Sequence, residues 1–143
     1  MGTRRQSRES ALKVLYQIEL TGQKPRDAVR YFFEEHESQP EVREFAEFLI
    51  DGVVRDRQAL DEMIALHSTN WKLSRMAAVD KNILRMAVFE LMSCPDIPAK
   101  VTINEAVEIA KKYGNTESGS FVNGILDNVA RAADMPASED EDA

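Results

Sequence analysis

Apolar side chains recur along this chain at three- and four-residue intervals, the spacing of one face of an α-helix. The first segment of this kind carries Ala11, Leu12, Leu15 and Ile18. Thr21-Gly22 then supplies a stop, which predicts a first helix over about residues 8–20. Alternation typical of strands is not sustained over any useful length, so the sequence predicts an all-α fold.

Prolines and polar residues divide the next part of the chain. Pro25 suits the first turn of a second helix, because the first turn does not need a backbone N–H. Ser38-Gln39-Pro40 ends that helix and opens a third apolar pattern, which runs to Val53. The pattern resumes at Leu60 after a bend near Arg55–Gln58, which predicts a separate fourth helix.

A segment that is apolar nearly all round follows the connection at Ser68–Ser74. We predict that Ser74 caps this helix, that it runs to about Ser93, and that it is the central helix of the fold. Thr102-Ile103-Asn104-Glu105 has the form of a capping box, in which the first and last side chains satisfy each other's backbone N–H. It predicts a helix that ends at Gly114, and Phe121–Val129 predicts the last one.

These patterns predict a compact bundle of about seven helices, arranged as two small helical subdomains that divide near Ser68–Ser74. Residues 1–135 are expected to form a single domain. Residues 136–143 form a short acidic segment that also contains Ala and Ser, so we expect a disordered acidic tail there.

The net charge of −7 argues at first against a nucleic-acid partner, but the charge is unevenly distributed. Residues 1–30 carry seven Lys/Arg and three Asp/Glu, a net of +4. Residues 31–70 have a net of −7, and residues 115–143 a net of −6. Because salt screens charges beyond about 10 Å, the local charge decides where phosphates bind, and the first segment remains a candidate.

Catalytic motifs are absent from the sequence. His36 and His67 lie far apart, and Cys94 has no second cysteine for a zinc or redox site. A carboxylate site could still be assembled from distant helices, although solvated acidic faces are far more common. We therefore predict a protein that is not an enzyme and has no metal or cofactor. The sequence has neither a secretory signal nor a membrane span, so we expect a cytoplasmic protein.

The candidate binding residues begin at Thr3-Arg4-Arg5-Gln6-Ser7-Arg8. Arg4 and Arg8 share a face if this stretch is helical, and guanidinium groups bind phosphates and stack on unpaired bases. A basic N-terminus can also serve solubility alone, and composition does not separate these interpretations.

A second basic element, Lys111-Lys112-Tyr113-Gly114, precedes a polar loop that reaches Phe121. Aromatic side chains beside such a loop can stack a base while the loop binds the base edge. The alternatives are that the lysines offset the helix dipole and that Phe121 is a core residue.

Four blocks, in order, resemble the NusB family of transcription antitermination factors. They are R-R-x-x-R-E-x-A-L-x-V-L-Y (4–16), W-x-L-x-R-M-x-x-V-D-x-x-I-L-R-M-A-x-x-E-L (71–91), D-I-P-x-x-V-x-I-N-E-A-V-E-I-A-K-K-Y-G (96–114) and F-V-N-G-I-L-D (121–127). The segment from residue 22 to 68 resembles the family by pattern alone. Four blocks in the right order are a far more specific signal than any one of them.

The resemblance implies an all-α fold and binding, jointly with the ribosomal protein NusE, to the boxA element of ribosomal RNA leader transcripts. It also implies indirect association with other Nus factors and RNA polymerase, in a complex that suppresses termination in ribosomal RNA operons. The RNA-binding residues that it implies are Arg4, Arg5, Arg8, Lys112, Tyr113, Glu117, Ser120 and Phe121. Tyr16 and Asp80 match positions on the surface that faces NusE and lies near the RNA.

Two other functions compete with this one. The apolar helix faces could make a protein-interaction scaffold or a homodimer, with RNA binding incidental. A related helical domain also occurs fused to ribosomal RNA cytosine methyltransferases, but this sequence has no glycine-rich cofactor motif. We therefore expect a boxA-type RNA and NusE as partners, and no membrane.

Overall fold

The computed structural model describes residues 2–134, which form six α-helices, one short 3₁₀ helix and no strand. The helices are α1 (Thr3–Thr21), α2 (Pro25–Glu35), α3 (Pro40–His67), α4 (Ala78–Ser93), α5 (Ala99–Tyr113) and α6 (Ser118–Ala132), with the 3₁₀ helix at Leu73–Arg75. The all-α prediction is confirmed. The acidic tail predicted at residues 136–143 lies outside the described residues.

The predicted C-terminal end of the first helix and the predicted start of the second are confirmed. Gly22 follows α1 in the left-handed conformation, with φ of 71°, and its N–H donates to the carbonyl of Ile18. Glycine adopts this conformation without the steric penalty that a Cβ would add. Pro25 occupies the first turn of α2, as predicted. α1 begins five residues earlier than predicted, at Thr3, so all three arginines of the N-terminal stretch are helical.

The bend predicted near Arg55–Gln58 is present as a kink within α3. Asp56 has φ of −102° and ψ of 15°, outside the helical region, while the chain on both sides of it is helical. The third and fourth predicted helices are therefore two arms of one bent element. With this kink the described chain is close to the seven helical segments that the pattern predicts.

Two predicted helix starts are wrong. Ser74 lies inside the 3₁₀ helix, and α4 begins only at Ala78. The helix assigned to Thr102 begins one turn earlier, at Ala99 after Pro98. Thr102 and Glu105 therefore do not form a capping box; both side chains bind residues of other helices, as described below.

α4 is the central helix, as its apolar sequence predicts. Ile83, Leu84 and Val88 have no solvent exposure, and α4 packs against α1, α3, α5 and α6. The chain from Ser68 to Ala77 separates α1–α3 from α4–α6. One continuous hydrophobic core nevertheless includes buried residues of all six helices. The arginine-bearing end of α1 is thus held against α4 and α5, where the candidate site lies.

Candidate nucleic-acid interface

The first part of the candidate site is a charged cluster between α1, α4 and α5. Arg8 is only 5% exposed, and its guanidinium donates to both carboxylate oxygens of Glu90, which is 2% exposed. Thr102 donates to the same carboxylate at 3.0 Å. A third Arg8 contact reaches Glu105 at 3.5 Å. Because its donors are engaged inside the protein, Arg8 joins helices and does not present a free guanidinium at the surface.

The other two arginines of this stretch are accessible. Arg5 binds Glu105 of α5 with two parallel hydrogen bonds, from Nε to Oε1 and from Nη2 to Oε2 (2.8 Å). The Arg4 guanidinium lies over the ring of Phe45 at 3.9 Å from its centroid. Within residues 2–134 Arg4 has no carboxylate partner, so it contributes an uncompensated positive charge.

A second ion pair joins α1 and α5 further along both helices. Glu9 accepts a hydrogen bond from the Tyr113 hydroxyl at 2.7 Å and two from Lys112, at 3.0 and 3.2 Å. Burial favours the neutral form of Glu9, but these donors outweigh it and hold its pKa below the usual value. Lys13 lies 5.7 Å from the Tyr113 ring centroid. Each helix therefore supplies a carboxylate to a cation of the other.

The loop between α5 and α6 is held by its own side chains. Asn115 accepts a hydrogen bond from the backbone N–H of Glu117 at 2.8 Å, and Ser118 accepts one from the N–H of Asn115 at 3.0 Å. The exposed Ser120 donates to the carbonyl of Glu117. This leaves the Glu117 side chain at the surface of an ordered loop.

A cleft opens between this loop and the start of α4. Its walls include Trp71, which is 52% exposed, and the half-buried Phe121, which also packs against the core. Glu117 borders the same cleft. Asp80 lies in it and is 7% exposed, and its Oδ1 has no hydrogen-bond partner among residues 2–134. A buried acceptor without a donor is unfavourable, so the cleft is suited to a ligand that brings an N–H or O–H group.

The last predicted residue, Tyr16, lies on a different surface. It is 37% exposed on α1, and Leu20, one turn further on, is 60% exposed. Between them Glu19 turns toward α4, where it binds Lys81 at 2.7 Å and Arg85 at 2.9 Å. Tyr16 and Leu20 thus form a small apolar surface at the C-terminal end of α1.

The structure groups the predicted residues into three places. Arg4 and Arg5 lie at the N-terminal end of α1. Lys112 and Tyr113 of α5 lie nearby, where both bind Glu9 of α1. Asp80 shares a cleft with two residues predicted to contact RNA, Glu117 and Phe121, whereas Tyr16 lies elsewhere on α1.

Several residues of these surfaces were not predicted from the sequence, namely Glu9, Leu20, Phe45, Trp71 and Glu105. A signal was available for Leu20, because it follows Tyr16 by one helical turn. None was available for Glu9 or Glu105, whose partners lie about a hundred residues away in sequence.

Within the part of the chain that the structure describes, no three His, Cys, Asp or Glu side chains are grouped so that they could hold a metal ion. None of the described helices is both long enough and apolar enough to cross a membrane.

Comparison with known sequences identifies the family. The NusB family model matches residues 5–131. A transcription antitermination protein NusB from Trichlorobacter lovleyi is 54% identical over 129 residues, covering 90% of this chain and 91% of that protein. Another from Myxococcus xanthus is 46% identical over 140 residues, covering 95% and 100%.

Solved structures agree with the sequences. T. maritima NusB matches with a TM-score of 0.83 and 38% identity, and the match covers 90% of both chains. A chain in the crystal structure of antitermination factors NusB and NusE in complex with dsRNA matches with a TM-score of 0.84 and 30% identity, covering 92% of this chain and 98% of that one. The family match over nearly the whole described chain, together with these relatives, shows that the protein belongs to the NusB family.

Proposed function

We propose that the protein is a transcription antitermination factor that binds the boxA element of ribosomal RNA leader transcripts together with NusE. It helps RNA polymerase, with the other Nus factors, to read through terminators in ribosomal RNA operons in the cytoplasm. Relatives that are about half identical are named transcription antitermination proteins, and one similar structure contains NusB, NusE and dsRNA. The protein acts by binding alone, without catalysis or a cofactor.

The observation that carries the RNA-binding part is the cleft around Asp80. Trp71 and Phe121 offer aromatic faces on which an unpaired base can stack. The unpartnered Oδ1 of Asp80 accepts a hydrogen bond from an exocyclic amine or a ribose hydroxyl. Such a combination of stacking and edge contacts gives selectivity for bases and not only affinity for phosphates. We therefore assign Asp80 to RNA rather than to NusE.

Cations near the N-terminal end of α1 supply the phosphate contacts. Arg4 and Lys112 are both exposed, and Arg4 has no carboxylate partner among residues 2–134. Lys112 is partly offset by Glu9. Few uncompensated charges give modest affinity for RNA alone, which is consistent with a protein that binds RNA jointly with a partner.

The surface formed by Tyr16 and Leu20 is proposed as the contact with NusE. Exposed apolar residues that cluster on a small protein often mark a protein interface. An aromatic side chain with a polar tip, like that of Tyr16, is also enriched at such interfaces. This surface is chemically distinct from the cationic one, so both partners can bind at once.

The experiment is a binding titration of boxA-type RNA and a scrambled RNA of equal length, each with and without NusE, followed by fluorescence anisotropy. We expect preference for boxA-type RNA and a large gain in affinity when NusE is present. Asp80→Asn is expected to reduce that preference. The matched control is Asp127→Asn, because Asp127 is an exposed carboxylate on α6 that pairs with Arg131.

Equal affinity for both RNAs under all conditions would overturn the proposal. The mass of the protein in solution, measured in the same samples, tests the competing scaffold function. A homodimer whose mass neither RNA nor NusE changes would favour that function instead.

A further inference from the structure

A second cleft lies at the N-terminal end of α1, where α1 faces the connection between α4 and α5. It is bordered by Arg4, Arg5, Ile97, Val101 and Glu105. Ile97 is half-buried and Val101 is 45% exposed, so one wall of the cleft is apolar and open to solvent. We name this feature the Arg5 cleft.

Arg5 is held in this cleft by one edge of its guanidinium. A guanidinium has five N–H donors in a planar fork, and Glu105 engages the Nε edge through Nε and Nη2. Both hydrogens of Nη1 and one of Nη2 remain. The two parallel bonds to Glu105 fix the plane of the group, so the remaining edge is oriented before any ligand binds.

Arg5 is less suited than Arg4 to bind a phosphate, because Arg5 has a carboxylate partner and Arg4 has none among residues 2–134. Glu105 offsets the charge of Arg5, and a phosphate bound to Arg5 would stand beside the Glu105 carboxylate at the cost of like-charge repulsion. An uncharged acceptor on a nucleobase meets no such repulsion. The apolar wall formed by Ile97 and Val101 is likewise suited to the flat face of a base and gives nothing to a phosphate.

We propose that the Arg5 cleft binds one unpaired guanine of the RNA. Guanine presents two adjacent acceptors, O6 and N7, at the spacing of a guanidinium edge, and this pair is the commonest specific base contact of arginine. In this arrangement Arg5 reads those acceptors, Glu105 positions Arg5, and the base packs against Val101. The inference rests on the proposed RNA-binding function, and it names a base-reading site within it.

Arg4 has a complementary role beside this cleft. Its guanidinium lies over Phe45, 3.9 Å from the ring centroid, and has no carboxylate partner among residues 2–134, so its full charge is available to a phosphate. The two neighbouring arginines therefore have different roles in RNA binding. Arg4 contributes salt-dependent affinity, and Arg5 contributes discrimination between bases.

The test uses the full chain with NusE and boxA-type RNA in which each guanosine is replaced in turn by 7-deazaguanosine, which lacks the N7 acceptor. At one position we expect the replacement to weaken binding by about fivefold or more, the range of a bidentate base contact. The double variant Arg5→Gln/Glu105→Gln keeps the net charge and removes the fork. It should bind the modified and unmodified RNAs equally well.

The slope of log affinity against log salt separates the two arginines. Arg4→Ala should flatten this slope by about 0.7, one phosphate contact on single-stranded RNA, whereas the double variant should leave it unchanged. Val101→Glu should also weaken binding, because it places a carboxylate in the cleft. Leu66→Glu, the same charge change at an exposed residue of α3, is the control. Circular dichroism of each variant verifies that the helices are retained.

Four outcomes would overturn the inference. If wild-type protein prefers boxA-type RNA but no 7-deazaguanosine replacement weakens binding, the base-reading site is wrong while the proposed function stands. The same holds if the double variant keeps the discrimination, or if its salt slope falls as that of Arg4→Ala does. If wild-type protein shows no preference for boxA-type RNA, both proposals fail together.

Discussion

The two ends of α1 are fastened to the rest of the protein in similar ways but present different surfaces. At the N-terminal end, Arg8 binds Glu90 of α4, and an exposed cation and an apolar cleft remain outside. At the C-terminal end, Glu19 binds Lys81 and Arg85 of α4, and the surface beside them is apolar. One helix thereby carries both the proposed surface for nucleic acid and the proposed surface for protein.

The two ends also differ in how much water reaches their ion pairs. Glu90 is 2% exposed, whereas the side chains of Glu19 and Asp61, which bind Arg85, are 18% and 22% exposed. A charge left unpaired is costly in the first environment and partly solvated in the second. Similar ion pairs therefore need not contribute equally to stability.

Arg8→Ala should have the largest effect, a loss of about 3–5 kcal/mol in the free energy of unfolding, because it leaves the buried Glu90 without a cation. Chemical denaturation measures this loss. Arg26→Ala is the control, since Arg26 is exposed on α2 and pairs only loosely with Glu47 and Asp51; its effect should stay within about 0.5 kcal/mol. A loss below about 1 kcal/mol for Arg8→Ala would contradict the interpretation.

Arg85→Ala should cost less, about 2 kcal/mol, although Arg85 is as buried as Arg8 and binds Asp61 with two hydrogen bonds of 2.7 and 3.0 Å. The reason is that water reaches Asp61 and Glu19 after the arginine is removed. The same denaturation experiment measures it. A loss equal to that of Arg8→Ala would show that the exposure of the partner carboxylates does not set the cost.

Leu20→Asp tests the apolar end. It should weaken the association with NusE by about tenfold or more, equal to about 1.4 kcal/mol, because a charge replaces an apolar contact. Calorimetric titration with NusE measures this, and Leu66→Asp, at another exposed leucine, is the control. An equal loss of RNA binding in the absence of NusE would assign Leu20 to the RNA surface and remove the distinction between the two ends.

The pH dependence of stability gives the smallest effect. The hydrogen bond from Arg5 holds the pKa of Glu105 below its usual 4.5. At the other end burial raises the pKa of Glu19, but hydrogen bonds from Lys81 and Asn82 outweigh this and lower it overall. A carboxyl group with a lowered pKa in the folded state stabilises the fold above its unfolded pKa. That contribution is lost as the pH falls through the lowered value.

We therefore expect the free energy of unfolding of the wild-type protein to fall below about pH 4.5. Glu105→Gln should remove one part of this dependence and Glu19→Gln another. Glu108→Gln, the same change at an exposed position of α5, is the control. Denaturation curves between about pH 3 and 6 would contradict the assignment if Glu105→Gln left the slope unchanged.

Apolar periodicity is sufficient to predict the helices of this protein, including the bend of α3. Apolar periodicity depends on local spacing along the chain, and the apolar residues of the helices keep that spacing almost everywhere. One of the wrong helix starts, the one assigned to Thr102, involves residues whose polar side chains serve distant partners. Thr102 donates to Glu90, and Glu105 binds Arg5, so a local motif that suits a helix cap has a tertiary role instead.

The candidate site could be predicted only in part. Arg8 precedes Leu12 by four residues and Leu15 by seven, so helical spacing alone places it on the buried face. Glu90, within the otherwise apolar α4, is the complementary signal. That these two residues meet, and that Arg5 meets Glu105, depends on how α1 docks against helices 82 and 100 residues further along the chain. Local spacing contains no information about such docking.

That separation has a consequence for synthesis on the ribosome. The arginines of α1 leave the ribosome first, but Glu90 and Glu105 follow only after another 82 and 100 residues. At about 5–20 residues per second, the nascent chain spends about 5–20 s with this basic segment made but not yet fastened. During that interval its guanidinium groups lack the carboxylate partners that they have in the folded protein. Only after α5 has been translated can Glu90 and Glu105 hold Arg8 and Arg5 in the positions that the folded protein shows.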